Sequence, residues 1–320
     1  MKLTFATAVI IVFCMLLLPL ISVSGDTDQK KEISTTQNFV SYNKENSPQK
    51  LENFKVLKND TVITLSAREY IFGVVAAEMP ALYEEEALKA QAVAAYTFAF
   101  YKSGQSNGEY DISASPEEAQ CYITREETAQ KWGENTDEYT KKIEKCVDEV
   151  LGQYLVYDDQ IIFAAYHAIS SGTTNSCADV WGTELPYLVS VDSVGDRLAK
   201  GYLSETVFTA DELSQKLESI ANPDGQPQNY FSDINKNSSG YVKTLKFCGK
   251  DTTGSQICKL LELRSSNFEV SFADGSFTFS CVGYGHGVGM SQNGANYMAQ
   301  QGSTYEEILY HYYKGAVLKK

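Results

Sequence analysis

The chain has 320 residues, 43% of them hydrophobic, and a formal net charge of −14. That is enough apolar material for one large domain, or two smaller ones with cores of their own. The acid excess argues against nucleic acid as a partner, because phosphate binding needs a basic surface; it leaves a neutral glycan or a peptide open.

Lys2 precedes a nearly uncharged run, residues 3–23, long enough at roughly 20 residues to cross a bilayer. It reads as an uncleaved anchor or, with SVSG at 22–25 as a loose cleavage site, as a signal peptide. Either way the remainder is expected outside the cytoplasm, at the cell membrane. Residues 24–53 are polar and without periodicity, a spacer ahead of the folded part. From Phe54 the sequence KVLKNDTVITL predicts a hairpin turning at Asn59-Asp60.

Residues 66–101 are the most informative stretch. Ser66 and Glu69 have capping-box spacing, so a helix starts at Ala67. Ile71, Val74, Val75 and Glu78 share one face of it, three aliphatic residues and a carboxylate. Pro80 ends the helix and leaves Glu78 at its C-terminus. Desolvation on an apolar face raises a carboxyl pKa, which is how a general acid stays protonated at neutral pH. Glu78 is therefore the catalytic candidate; the bland alternative is a Glu bonded to backbone at a helix end. A second helix spans about 84–102, with Ala87, Gln91, Ala94, Ala95 and Phe98 on one face. Gln91 needs a buried partner there: Glu78, a substrate hydroxyl or a backbone carbonyl.

A polar loop over 103–120 leads to Cys121, and a helix is expected over 136–151, stopping at Gly152. Tyr154 to Tyr157 and Ile161 to Tyr166 read as paired strands around Asp158-Asp159. They deliver the chain to HAISSGTTNSCADVWG, a loop of hydroxyls at a strand end, where polar substrates are often positioned. Thr209 caps a helix over 208–220; strands follow over 241–247, 268–272 and 277–282, with a short helix over 256–263 and a loop-like stretch between 221 and 240. In GYGHGVGMSQNGA, glycines alternate around Tyr284, His286 and Val288, allowing close backbone approach. A helix over 291–301 ends at Gly302, and Ser303 with Glu306 opens a last one reaching about Lys314. The fold class is α+β, mixed helices and short antiparallel strands in a membrane-anchored ectodomain, with about 195–282 as a candidate second lobe.

Of the seven cysteines, Cys14 lies in the apolar run and six remain, which permits disulfides without choosing among them. Cys248 and Cys258 flank a turn and either pair or remain core thiols. His167, Cys177 and Cys121, with Cys146, admit a zinc site, although no CxxC or HxxxH spacing supports one. His286 either orients substrate and supports Glu78 or simply packs in a tight glycine turn.

Five separated blocks, AAEMP around Glu78, EALKAQAVAAYT, YHAISSGTTNS, VWG with PYL, and GHGVGMSQNGA, together resemble the stage II sporulation protein D family of membrane-anchored peptidoglycan lytic transglycosylases. The resemblance covers about 54–317 and implies cleavage between N-acetylmuramic acid and N-acetylglucosamine to a 1,6-anhydro end during forespore engulfment. It implies a preference for peptide-stripped glycan and work alongside an amidase and a membrane scaffold, with no cofactor required. Residue by residue, the family's catalytic Glu falls on Glu78. The Ser/Gly/Thr loop falls on 170–174, with Ser170, Ser171 and Thr174 as substrate contacts, and the glycine-flanked His falls on His286, with Gln292 after it. An Arg of the family's second helix is Tyr96 here, and Ser171-Gly172 stands where the family has two glycines. The competing readings are a peptidoglycan-binding scaffold without catalysis and a metal-dependent amidase, for which the expected ligand spacing is missing.

Overall fold

A computed structural model of the protein describes residues 51–320 other than 116, 117 and 224. The expected anchor at 1–23, and the spacer up to residue 50, lie outside the described residues. Among the described residues no helix is long and apolar enough to cross a membrane.

The chain opens with β1 (Asn53–Lys58) and β2 (Thr61–Ser66), joined as expected at Asn59 and Asp60, both at positive φ. α1 (Ala67–Glu78) follows with Ser66 as N-cap, its hydroxyl accepting from the Glu69 N–H at 3.2 Å. The capping box is only half made, because the Glu69 carboxylate turns away to a two-pronged ion pair with Arg125. α2 (Glu85–Ser103) is buried along almost its whole length and packs against α1 and three later helices. Its alanines explain the position: small side chains let neighbouring backbones come close on every side, and Ala has the highest helix propensity.

The loop expected after α2 contains β3 (Ile112–Ser113), which adds to β1 in parallel. An unexpected helix α3 (Arg125–Trp132) carries a full Thr124/Glu127 capping box and precedes α4 (Thr136–Val150). β4 (Tyr154–Tyr157) and β5 (Gln160–Ile161) form the second hairpin, with Asp158 and Asp159 at positive φ. The strand expected to continue to Tyr166 instead breaks; β6 (Tyr166–His167) is separate and pairs elsewhere. α5 (Cys177–Trp181) ends the Ser/Thr loop at Gly182.

Residues 203–282 hold β7 (Leu203–Thr209), α6 (Ala210–Leu217), β8 (Phe231–Lys236), β9 (Val242–Phe247), β10 (Lys250–Thr253), α7 (Gly254–Leu260), β11 (Phe268–Ala273) and β12 (Ser276–Val282). They form two three-stranded sheets, β10-β9-β8 and β11-β12-β7, around their own cluster of Leu213, Phe247, Ile257, Phe268 and Phe279. β8 falls in the stretch expected to be a loop. The chain closes with β13 (Met290–Ser291), α8 (Gln292–Gln300), α9 (Tyr305–Tyr312) and β14 (Val317–Lys319), which pairs with β4. The capping box of α9 is Thr304 with Glu307, one residue later than the Ser303/Glu306 reading. The reason is local: the Ser303 N–H is already used to close α8 on the Met298 carbonyl.

The larger core gathers α1, α2, α4, α9 and the strands between them, with Tyr70, Phe72, Tyr96, Phe100 and Tyr313 almost fully buried. Each such aromatic contributes roughly 1.5–3 kcal/mol by burial. Cys177, Val288 and Met290 join the same cluster, which ties the Ser/Thr loop and the glycine turn to it.

Candidate functional site

α1 ends where the sequence places Glu78. Two carbonyls that the helix end would leave unpaired, Ala76 and Ala77, are taken by the Lys131 ammonium of α3 at 2.8 and 3.1 Å. Glu78 is partly exposed, and its Oε1 accepts the Cys121 N–H at 2.8 Å. Cys121 is brought there by Gly73. A Cβ at Gly73 would lie 2.3 Å from the Tyr122 ring and 2.5 Å from the Ile123 carbonyl oxygen, so only glycine lets the 121–123 segment lie against α1.

Two further side chains reach Glu78 from the other side of the sequence. β6 and β13 pair in parallel, Tyr166 opposite Met290 and His167 opposite Ser291, and Gln292 follows directly on that pair. The Gln292 amide donates to Glu78 Oε2 at 3.4 Å and to the Gln91 carbonyl oxygen, also at 3.4 Å. The Tyr166 hydroxyl lies 3.5 Å from Glu78 Oε1 and donates to the Gln120 carbonyl oxygen at 2.8 Å. Gln120 is buried, its amide nitrogen held by Tyr70 Oη at 3.0 Å and the Ala95 carbonyl at 3.2 Å.

The electrostatics of Glu78 follow from these neighbours. Burial raises its carboxyl pKa above the ordinary value, while the Cys121 N–H, the Gln292 amide, the Tyr166 hydroxyl and the Lys131 charge pull it back. The end of α1 adds its negative dipole pole, which also disfavours the charged form. The carboxyl can thus both hold and release a proton.

The remaining candidates fall differently. Gln91 is fully buried and partnered by Gln292, none of the three partners the sequence suggested; its own Nε2 has no hydrogen-bond acceptor among the described residues. Ser170 and Thr174 are fully buried, so the substrate contacts expected of them are not ones this structure presents. Ser170 donates to Asp196 at 2.5 Å, and Thr174 accepts the Val191 N–H at 2.9 Å. The Ser171 hydroxyl bonds the Thr173 and Ser239 carbonyls. These hydroxyls satisfy the backbone of an irregular loop, a demand that any buried loop must meet.

Asp196, which the sequence reading missed, is the hub of that framework. It accepts the Ser170 N–H at 2.9 Å, the Ser291 hydroxyl at 2.7 Å and the Asn293 amide at 3.4 Å, besides the Ser170 hydroxyl. Burial raises its pKa and these donors oppose the rise.

The glycine turn is as tight as expected: Gly283, Gly285, Gly287 and Gly289 all have positive φ. A Cβ on Gly289 would sit 2.0 Å from the Ala165 carbonyl oxygen, so glycine there permits the β6–β13 pairing. His286 packs inside this turn, its Nδ1 accepting the Val288 N–H at 3.0 Å and its ring 5.0 Å from Trp181 and 5.7 Å from His167. Burial and the neighbouring His167 push its pKa down to about 3. His167 bonds the Val288 carbonyl through Nδ1 and is pushed down to about 4 by burial. Among the described residues no three His, Cys, Asp or Glu side chains come together to hold a metal ion, so His167, Cys177 and Cys121 do not assemble as ligands. Cys258 donates to the Leu263 carbonyl at 3.0 Å, the core-thiol alternative to pairing with Cys248.

Residues 57–157 match the family model described as stage II sporulation protein. The chain is 36% identical over 263 residues to stage II sporulation protein D of Bacillus amyloliquefaciens, covering 80% of this chain and 75% of that one. With its counterpart in Bacillus subtilis (strain 168) it shares 35% over 268 residues, 82% and 77% of the two chains. The chain belongs to the stage II sporulation protein D family. A more distant relative, the amidase enhancer of Bacillus subtilis (strain 168), is 29% identical over 297 residues, which are 77% of this chain and 40% of that protein.

The departures from the family pattern can now be placed. Tyr96 is a core residue, packed between Phe54 and Phe100 with its hydroxyl on the Leu51 carbonyl at 3.2 Å. Gly172, in the left-handed region at φ +94, leaves room for the Arg197 side chain, whose Nε would lie 2.5 Å from an added Cβ.

Proposed function

We propose that this member of the family is a peptidoglycan lytic transglycosylase, with Glu78 as acid and then base. The supporting observation is one partly exposed carboxyl, raised by burial yet supplied with neutral donors from Cys121 and Gln292. A hydrolytic glycosidase pairs its acid with a second carboxylate that activates water or attacks carbon. Asp196, the buried carboxylate of the same framework, has both oxygens occupied by donors and is 0% exposed, so it is unsuited to that role. A lytic cleavage needs no water: Glu78 protonates the glycosidic oxygen as the C–O bond breaks. It then takes the proton from the muramic acid 6-hydroxyl as that oxygen bonds to C1, giving the 1,6-anhydro end. No cofactor enters this chemistry.

In this reading the protein is anchored by its N-terminal apolar run and acts outside the cytoplasm on peptide-stripped glycan. The chain from 54 to 317 is the catalytic domain, with about 195–282 as its second lobe, working alongside an amidase and a membrane scaffold during engulfment. The amidase-enhancer relative favours one alternative, a non-catalytic glycan-binding partner of an amidase.

Mass spectrometry of peptide-stripped glycan digested by the full chain tests the reading. Anhydro-ended products, absent with Glu78→Gln, are expected. Reducing ends would mean hydrolysis, released peptides an amidase, and intact glycan that still binds the protein would favour the alternative.

A further inference from the structure

The Tyr166 hydroxyl stands between two acceptors and has one proton. Gln120 Oε1 is 2.8 Å away and Glu78 Oε1 3.5 Å away, so in this structure the proton lies on Gln120. Gln120 cannot turn its amide over, because its nitrogen is committed to Tyr70 Oη and the Ala95 carbonyl in a buried site. The phenol is equally fixed: its backbone is paired to Met290. The His286 ring donates to its carbonyl. Only the O–H torsion is left to move.

We propose that Tyr166 is a positioning residue for Glu78, a rotor whose proton rests on Gln120 while Glu78 is protonated and swings to Glu78 Oε1 once that carboxyl has given its proton away. The inference rests on the reading of Glu78 as an acid that becomes a base. Like the fixed Cys121 N–H and Gln292 donors, the rotor lowers the Glu78 pKa by favouring the carboxylate. It differs in that its proton has a partner in both states, Gln120 while Glu78 is neutral and Glu78 through a charge-assisted hydrogen bond once the charge appears, so no buried donor is left unpaired. It needs the O–H torsion and a short approach of the carboxylate across the 3.5 Å gap, and the Gln120 oxygen is the parking place that makes it reversible.

The titratable groups facing this hydroxyl are Glu78 and Tyr70 of α1, Cys121, and Tyr313 beyond α9, with Lys131 of α3 acting on Glu78. The rotor predicts opposite shifts from two substitutions in one network. Tyr166→Phe removes the donor and raises the Glu78 pKa by about one unit; Gln120→Met removes the competing acceptor, leaves the proton on Glu78 and lowers it by a similar amount. In turnover of peptide-stripped glycan, Tyr166→Phe lowers kcat about 10-fold or more, with KM within about 2-fold.

Carboxyl-carbon NMR titration of Glu78 in the full-length wild type and both variants reads the pKa without relying on activity. Shifts of opposite sign support the rotor even if the glycan is left uncut, an outcome that counts only against the catalytic reading. Shifts of the same sign, or none, overturn it, while loss of anhydro products in Glu78→Gln would still uphold the catalytic reading. Should Tyr166→Phe fold poorly, Gln120→Met alone decides: an unmoved or raised Glu78 pKa overturns the proposal.

Discussion

Replacing Asp196 should separate the loops of the site from the body of the protein. Its carboxylate accepts the Ser170 N–H and hydroxyl at 2.9 and 2.5 Å, and the Ser291 hydroxyl and Asn293 amide at 2.7 and 3.4 Å. Asp196→Ala leaves the Ser170 N–H stranded in a buried place, at about 1–3 kcal/mol for that group alone. The two hydroxyls can turn elsewhere; Ser291 Oγ also has the Ala168 carbonyl at 3.4 Å, so each adds less. A total of about 3–5 kcal/mol is expected, which in a domain of this size lowers Tm by roughly 6–20 °C. Asp196→Asn keeps the volume and one acceptor oxygen and should lose about half as much. Calorimetry or fluorescence-monitored melting measures both. An Asp196→Ala protein melting within about 2 °C of the wild type would mean that Asp196 does not hold these segments together, and the account of Ser170 as a framework residue would fall with it.

Gly73→Ala sets two terms against each other. Ala gains about 1 kcal/mol of helix propensity, but its methyl meets Tyr122 at 2.3 Å and the Ile123 carbonyl at 2.5 Å, an overpacking that costs about 1–3 kcal/mol. Net destabilisation with weakened glycan cleavage is expected, because the Cys121 N–H moves off Glu78; a more stable, fully active variant would refute the close-approach argument. His167 and His286 set an acid limb of stability. Their folded pKa values, about 4 and about 3, lie below the ordinary 6.5, so the unfolded chain takes up protons first as pH falls from 6.5. Stability is therefore lost over that window by up to about 1.4 kcal/mol per pH unit for each ring. Glu78 and Asp196, both raised, work in the opposite direction and gain stability as pH falls. Urea denaturation at about pH 7 and pH 5 should show a flatter slope for His167→Gln than for the wild type; equal slopes would show that this ring is not held neutral.

What the sequence made legible was governed by local rules. Ser66, the apolar face of α1 and Pro80 fix the helix that ends at Glu78 within a dozen residues, and four alternating glycines announce a turn with positive φ. β3, β6 and β14 have two or three residues each and exist because a distant strand offers hydrogen bonds, so no periodicity can announce them. The site divides in the same way. Glu78 and Gln292 were recognisable as candidates, whereas Tyr166, Gln120 and Asp196 matter through partners 25 to 97 residues away. A sequence shows an Asp before an Arg at that point, and nothing of the two distant segments that converge on it.

The Ser/Thr loop shows why composition misled. Hydroxyls after a strand suggest a surface offering hydrogen bonds to a ligand, and the same groups are what a buried irregular loop needs for its own amides and carbonyls. Burial decides between the two. With Ser170 and Thr174 at 0% exposure, the loop is the internal frame that carries Asp196, Ser291 and Gln292. The side chains that reach Glu78 are therefore neutral and held from behind: Gln292 follows the β6–β13 pair, and Tyr166 is braced on Gln120. A fixed cation in direct contact would hold Glu78 ionised and useless as an acid. An unrelieved apolar wall would hold it protonated and useless as a base. Amides and a phenol at 2.8–3.5 Å lie between these limits, the condition a single carboxyl must meet to serve in both halves of a cleavage.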